Sequence, residues 1–216
     1  MSEGIDRVDL FIMENDGEKD SDKKIRAAAR EYINKIHPEL SVINEESLFS
    51  ISRTEKGKPY FTNCPELFFS VSHSEAYWVC ALAEFPVGVD IQSYSRLKNE
   101  SEEAYLQRLK SIGRRFFHPK EARYLEEIST ENRFYFLWTA RESYVKWTGK
   151  GIDDDFSQFC ILSDHPSFIP ASVDEKPFFW SALGANFVAM QFQSSYTLCV
   201  CSGRKASLQL SFIPSK

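Results

Sequence analysis

Polar and apolar positions alternate from Ile5 to Met13, the two-residue period of a strand with one face on a core. A polar stretch from Asn15 to Asp22 follows and reads as a loop. Then Ile25, Ala28, Ala29, Tyr32, Ile33 and Ile36 recur at helical spacing. That spacing predicts a helix capped by Ser21 or Asp22 and ended by His37-Pro38, with His37 a helix-end residue of no chemical role. Leu67–Ser72 and Tyr77–Ala83 are short apolar runs around His73-Ser74-Glu75-Ala76, the pattern of a hairpin. Pro86 breaks the chain before a third strand, Val87–Gln92. Helical patterns then cover Glu102 to about Ile112, Pro119 to Ile128 and Asn132 to Thr148. Beyond Gly151 the runs are strand-like again, near Phe156–Leu162, Phe178–Leu183, Phe187–Phe192, Tyr196–Cys201 and Leu208–Ile213. Residues 1–86 and 87–216 therefore each mix strands and helices, which predicts an α+β fold of two parts with a boundary near Pro86. No internal sequence repeat or low-complexity tract is evident.

Composition narrows the class. A chain of 216 residues, 43% hydrophobic and 14% aromatic with 18 Phe, can bury a substantial core. No uncharged apolar stretch approaches the roughly 20 residues of a membrane-spanning helix. Met1 to Asp9 carries Glu3, Asp6 and Arg7 ahead of any apolar run, so no targeting signal is expected there. The five cysteines are odd in number and lack the paired spacing of a zinc site, so they predict neither a disulfide framework nor zinc. Cys199 and Cys201 share a strand face and read as small core residues. A reduced, cytoplasmic protein is the expectation. The formal net charge of −5 argues against non-specific nucleic-acid binding. Arg114, Arg115, Lys120 and Arg123 form either a local basic patch or a solvated helix face.

Three segments carry candidate chemistry. In Phe136–Ile152, Trp138, Glu142 and Lys146 fall on one helical stripe at about 100° per residue. A carboxylate and an ammonium so placed can hold a divalent metal and a phosphate together, or form an ordinary surface ion pair. In Val87–Gln92, Gly88, Asp90 and Gln92 share one strand face. Gly88 leaves room for a ligand to approach the backbone, and Asp90 and Gln92 offer oxygen donors suited to Mg²⁺. The plain alternative is an exposed strand edge. In Ser70–Ser74, His73 stands at a strand end where it can donate to phosphate oxygens, with Ser72 and Ser74 adding short hydrogen bonds, or is a turn histidine with no role. Gly57-Lys58-Pro59 is a turn bearing a cation, without the spacing of a P-loop.

Taken in order, these pieces form a pattern: Gly57-Lys58-Pro59, then Phe69-x-x-Ser72-His73-Ser74, Gly88-Val89-Asp90-Ile91, Arg115-Phe116-Phe117-x-Pro119-x-Glu121, and Trp138-Thr139-x-Arg141-Glu142-Ser143-x-x-Lys146-x-x-Gly149-x-Gly151. It resembles the 4′-phosphopantetheinyl transferases, and the chain length suits their larger, Sfp-like type. The likeness spans roughly residues 53 to 152; the later strands add only a compatible pattern. The resemblance implies two similar α+β halves related by a pseudo-twofold axis, with coenzyme A in the cleft between them. It implies transfer of phosphopantetheine to a serine of an apo acyl or peptidyl carrier protein, with release of adenosine 3′,5′-bisphosphate. By the same resemblance Asp90 and Glu142 are metal-binding carboxylates. Lys146 is the lysine beside the scissile phosphate, His73 contacts coenzyme A phosphates, and Lys58 lies near the nucleotide. Mg²⁺ held by Asp90 and Glu142 would neutralise charge on the bridging oxygens, Glu142 or a water it orients would be the base, and Lys146 would stabilise the departing phosphate. Monomeric action is expected.

Two departures from the family pattern stand out. Gln92 occupies a position where most relatives have Glu, so a metal there loses one negative ligand. The region between the first strand and first helix is short, and Lys23, Lys24 and Arg26 are the cations at hand for the coenzyme A 3′-phosphate. Gln92 favours a second reading, a non-catalytic coenzyme A or carrier-protein binding module. A third is a metal-dependent phosphohydrolase with water in place of the carrier serine.

Overall fold

The computed structural model describes residues 6–15, 21–38, 45–127, 131–151, 154–162 and 176–214. The expected ends at Ile5, Ile128 and Ile152, and most of the loop 15–22, lie outside these residues. In chain order the elements are β1 (Asp6–Glu14), α1 (Ser21–Ile36), α2 (Glu45–Leu48), β2 (Ile51–Arg53), β3 (Pro59–Phe61), β4 (Phe68–Ser74), β5 (Tyr77–Ala83) and β6 (Val87–Ser93). After them come α3 (Glu102–Phe116), α4 (Pro119–Glu127), α5 (Glu131–Thr148), a 3-10 turn (Asp154–Ser157), β7 (Phe178–Ala182), β8 (Ala185–Phe192), β9 (Tyr196–Ser202) and β10 (Ala206–Phe212). The class is α+β, as the patterning predicts.

The strands form two four-stranded sheets, ordered β10-β1-β5-β4 and β6-β9-β8-β7, beside the small β2–β3 ribbon. Strand alternation explains the layering. Val8, Leu10 and Ile12 of β1, Val79 and Ala81 of β5, Val87, Val89 and Ile91 of β6, and Leu198 and Val200 of β9 meet in one core shared by both sheets. The other face of the first sheet, with Phe11, Cys80 and Leu82, packs on Ile25, Ala28, Ala29 and Tyr32 of α1. The other face of the second sheet, with Phe187, Cys199 and Cys201, packs on Phe136, Leu137 and Ala140 of α5. Both cysteines are fully buried core residues. Among the described residues no helix is long and apolar enough to cross a membrane.

Four details depart from the patterning. Phe156–Leu162 is not a strand: its apolar side chains pack under α5, but its backbone bonds side chains instead of a neighbouring strand. Arg141 donates to the Phe159 carbonyl at 2.9 Å, Ile161 N–H donates to Glu121 at 2.7 Å, and Trp180 donates to the Ile161 carbonyl at 2.9 Å. Helix α3 runs past Gly113, because the absent side chain there is a packing point. A Cβ on Gly113 would sit 2.4 Å from Leu125 of α4. His73 lies within β4, opposite Trp78, and the turn is narrowed to Glu75-Ala76, with Glu75 at φ 46°. Finally, β10 pairs in parallel with β1, so the last strand of the chain returns to the first sheet.

Gly88 sets the distance between β6 and α5. A Cβ there would sit 2.0 Å from the Ser143 carbonyl oxygen and 2.5 Å from the Trp147 nitrogen. The room at Gly88 is thus taken by the helix backbone, not by a ligand. Gly88→Ala is expected to lower stability by about 1–3 kcal/mol or more, because neither backbone can yield without moving the helix. A denaturation midpoint equal to wild type would show that α5 is not seated on β6 in this way.

Candidate active site

Helix α5 is buried along most of its length, from Arg133 through Leu137 and again at Thr139–Arg141, Ser143 and Val145. Its half-buried residues include Trp138, Glu142 and Lys146, the stripe legible in the sequence. That stripe faces β6 across the contact made possible by Gly88. Lys146 donates to Asp90 Oδ1 at 2.7 Å, so its salt bridge is to the strand carboxylate and not an i,i+4 surface pair along the helix. Ser72 Oγ, on β4, donates to the same oxygen at 2.7 Å. Asp90 is almost wholly buried, and its other oxygen, Oδ2, has no hydrogen-bond partner.

Ser72, His73, Asp90, Gln92, Glu142 and Lys146 all line one cleft of about 760 Å³. Asn15, Ser21, Val71, Trp78 and Trp138 complete its walls. Of these, Asn15, Ser21 and Trp78 carry no motif signal; they are brought in by the β1–α1 junction and by the β4–β5 pairing. Trp78 Nε1 donates to Ser21 Oγ at 3.3 Å, which ties the start of α1 to this wall. Burial, with the nearby Asp90 carboxylate, pushes the Glu142 carboxyl up to about 7, while Lys146 and Arg141 offset part of the rise.

An orphaned, buried carboxylate oxygen beside a second carboxyl whose ionisation is suppressed is a donor set that a hard cation would satisfy. Asp90 Oδ2 and Glu142 fit that requirement, and the Gln92 amide lines the same cleft. Among the described residues no three acidic, histidine or cysteine side chains converge as a metal cluster.

Lys58 stands apart from this group. It lines an adjoining cavity of about 230 Å³ that shares Lys146 with the cleft. Its Nζ donates to the carbonyls of Lys146 and Trp147, at 2.6 and 3.0 Å, capping the last turn of α5. Burial lowers its pKa. Ser74 is also occupied elsewhere, bonding Ser93 Oγ at 3.2 Å. Lys24 is buried and donates to the Glu14 carbonyl at 3.1 Å. Of the basic cluster on α3 and α4, Arg114 pairs with Glu126, and none of the four cations lines the cleft.

Two motif residues without an assigned role hold α5 in place. Arg141 and Glu121 are fully buried and paired, and the guanidinium lies over the rings of Phe156 and Phe159 at 4.6 and 4.2 Å. Glu121 also accepts from His118 N–H at 3.1 Å. The pair joins α4, α5 and the segment around Phe159 immediately beside Glu142.

Residues 86–201 match a family model described as the 4′-phosphopantetheinyl transferase superfamily. The match includes β6 and α5; the Lys58 and Ser70–Ser74 segments precede it. The chain is similar to the 4′-phosphopantetheinyl transferase gsp of Aneurinibacillus migulanus, 34% identical over 125 residues, 56% of this chain and 46% of that protein. It is similar to the 4′-phosphopantetheinyl transferase Sfp of Bacillus subtilis, 29% identical over 120 residues, 54% of this chain and 49% of that protein. A third relative, the 4′-phosphopantetheinyl transferase HetI of a Nostoc strain, is 33% identical over 90 residues, 40% of this chain and 34% of that protein. The chain spans about half the length, or less, of the curated relatives it matches.

The raised Glu142 carboxyl has a measurable signature in metal-free protein. Between its ordinary value of 4.5 and about 7, the folded chain keeps a proton that the unfolded chain has lost. Stability is therefore expected to fall as pH rises through that window and to level off above it. Glu142→Gln, neutral throughout, removes this decline and gains up to about 3 kcal/mol relative to wild type at pH 8. Denaturation curves at pH 4 and pH 8 in the presence of a chelator check this; parallel behaviour of the two proteins would refute the burial of an ionisable Glu142.

Proposed function

The chain belongs to the 4′-phosphopantetheinyl transferase superfamily, and on that premise we propose that it moves the phosphopantetheine arm of coenzyme A onto a serine of an apo acyl or peptidyl carrier protein, releasing adenosine 3′,5′-bisphosphate. The observation that carries the proposal is the cleft in which Asp90, Glu142 and Lys146 converge, with Asp90 Oδ2 unpartnered. Asp90 and Glu142, with the Gln92 amide, would hold Mg²⁺. When bound, the cation would neutralise charge on the pyrophosphate oxygens.

The remaining work falls to side chains of this chain. The carrier serine oxygen forms a bond to the β-phosphorus of coenzyme A as the bond from that phosphorus to the bridging oxygen breaks. Glu142, directly or through a water, takes the serine proton as the bond to phosphorus forms. Lys146 stabilises charge on the departing phosphate and is already at the cleft wall, held by Asp90. His73 is exposed on that wall, where its ring can donate to phosphate oxygens.

Walls from β4 and from β6 and α5 belong to one chain, which supports a monomer. The sheets share a strand order, β1-β5-β4 and β6-β9-β8, which supports two halves divided near Pro86 and related by a pseudo-twofold axis, with β10 the exception, since it lies in 87–216 and joins the first sheet. All five cysteines are free thiols, which supports a reducing, cytoplasmic location.

Gln92 favours one second reading, a coenzyme A or carrier-binding module without turnover. Incubation with coenzyme A, Mg²⁺ and apo carrier protein separates the possibilities. A modified carrier with released nucleotide is the expected result; nucleotide without modification means a phosphohydrolase, and neither product means a binder. Folded Lys146→Ala and Glu142→Gln proteins should lose transfer by about two orders of magnitude or more, since each removes a term acting on the transition state. Coenzyme A affinity of Lys146→Ala, measured on the same preparation, should change only a few-fold. Near-normal transfer in both variants would remove this mechanism. Gln92→Glu should lower the Mg²⁺ concentration giving half-maximal rate, and an unchanged requirement would show that position 92 does not act on the metal.

A further inference from the structure

Ser70, Ser72 and Ser74 project from one face of β4 and are all buried. Their hydroxyls accept the backbone N–H groups of Val89, Ile91 and Ser93 on β6 at 3.0, 3.3 and 2.9 Å. The three bonds are rungs across the seam where an edge strand of each sheet meets the other. The middle rung differs. Ser72 Oγ also donates to Asp90 Oδ1. A hydroxyl has a single proton, so Ser72 has none left for a substrate phosphate.

We propose that Ser72 is a positioning residue whose hydroxyl, anchored on the Ile91 N–H, orients the Asp90 carboxylate so that Oδ2 is presented to a divalent cation. This rests on the reading of Asp90 as a metal-binding carboxylate. Because a carboxylate is planar, donors that fix Oδ1 also fix Oδ2. Oδ1 has two such donors, Ser72 and Lys146. Lys146 is the one that turns to the departing phosphate during transfer, which leaves Ser72 as the hold on Asp90 when the cation is needed. Sequence reasoning assigns Ser72 to coenzyme A phosphates; its geometry assigns it to Asp90.

The neighbouring rung supplies the control. Ser70→Ala removes the same kind of seam bond, to Val89 N–H, without touching Asp90. Mn²⁺ alone serves as the probe, its binding followed by electron paramagnetic resonance without coenzyme A, with thermal melting recorded for every variant. Ser72→Ala should weaken Mn²⁺ binding by about tenfold or more, as loss of a hydrogen bond to a ligating carboxylate does. Ser70→Ala should change it by less than about twofold, and Ser72→Thr, which keeps the hydroxyl, should return it toward wild type. Equal weakening in both alanine variants would reduce Ser72 to a seam residue and overturn the proposal. A raised KM for coenzyme A with unchanged Mn²⁺ affinity in Ser72→Ala would overturn it in favour of a phosphate contact. Failure of the wild-type chain to take up Mn²⁺ would instead sink the reading of Asp90 itself, and the role of Ser72 with it.

Discussion

The close approach of α5 to β6 is the constraint on which the site depends. Most helices lie on a sheet at a distance set by side chains on both surfaces, near 10 Å. At Gly88 one of those side chains is missing, and the helix backbone at Ser143 and Trp147 comes down onto the strand. Two residues further along the same strand face stands Asp90, and Lys146 lies one turn beyond Glu142 on the helix. The approach lets a lysine on the helix reach a carboxylate on the strand directly, at 2.7 Å. Glu142, half-buried on the same helix stripe, is partly withdrawn from water, and burial leads the causes of its raised pKa.

A helix seated this closely must be held along its axis and in its rotation. The Glu121–Arg141 pair does so from the middle, with Arg141 Nε and Nη2 left without hydrogen-bond partners and its guanidinium against aromatic rings. Buried ion pairs are weak contributors to net stability, and the best-attested use of such groups is to specify one arrangement over its neighbours. Here the arrangement specified is the one that points Glu142 into the cleft. Lys58 acts at the other end, where unsatisfied carbonyls and the negative end of the helix dipole meet. It ties the turn of the β2–β3 ribbon to the end of α5. Its side chain therefore bears on where Lys146 sits, whatever the adjoining cavity holds.

Much of this was legible in the chain. The two-residue period of Val87–Gln92 placed Gly88 and Asp90 on one face, and the helical period placed Glu142 and Lys146 on another; local periodicity is enough for both. That the two faces meet was legible only through the family resemblance, because periodicity says nothing of contacts between residues far apart in sequence; the hydrogen bonds that join them were not. Ser72 illustrates the limit. Its position on β4 could be read, but not which acceptor its one proton would choose, and that choice was made by β6, 18 residues away. The return of β10 to β1 is of the same kind, since an apolar run does not name its partner strand. Phe156–Leu162 misled because burial alone makes a run apolar; Glu121 and Arg141 supply backbone partners that a strand would otherwise supply.

Gln92 can be understood through the charge balance of the resting cleft. Asp90 is matched by Lys146, and Glu142 is partly protonated near neutral pH because its charge is desolvated and repelled by Asp90. A third carboxylate at position 92 would add a further negative charge to the same wall, where Lys146 is the one lysine or arginine among the described lining residues. Without a cation bound, repulsion would rise and push the Glu142 carboxyl higher still. An amide avoids that cost while keeping an oxygen donor. On the proposed function the amide would lessen repulsion before a cation binds, and the cation would then be held with one charge fewer. That places more weight on the orientation of Asp90 Oδ2, so the hydrogen bond from Ser72 matters more here than it would in a site with three carboxylates.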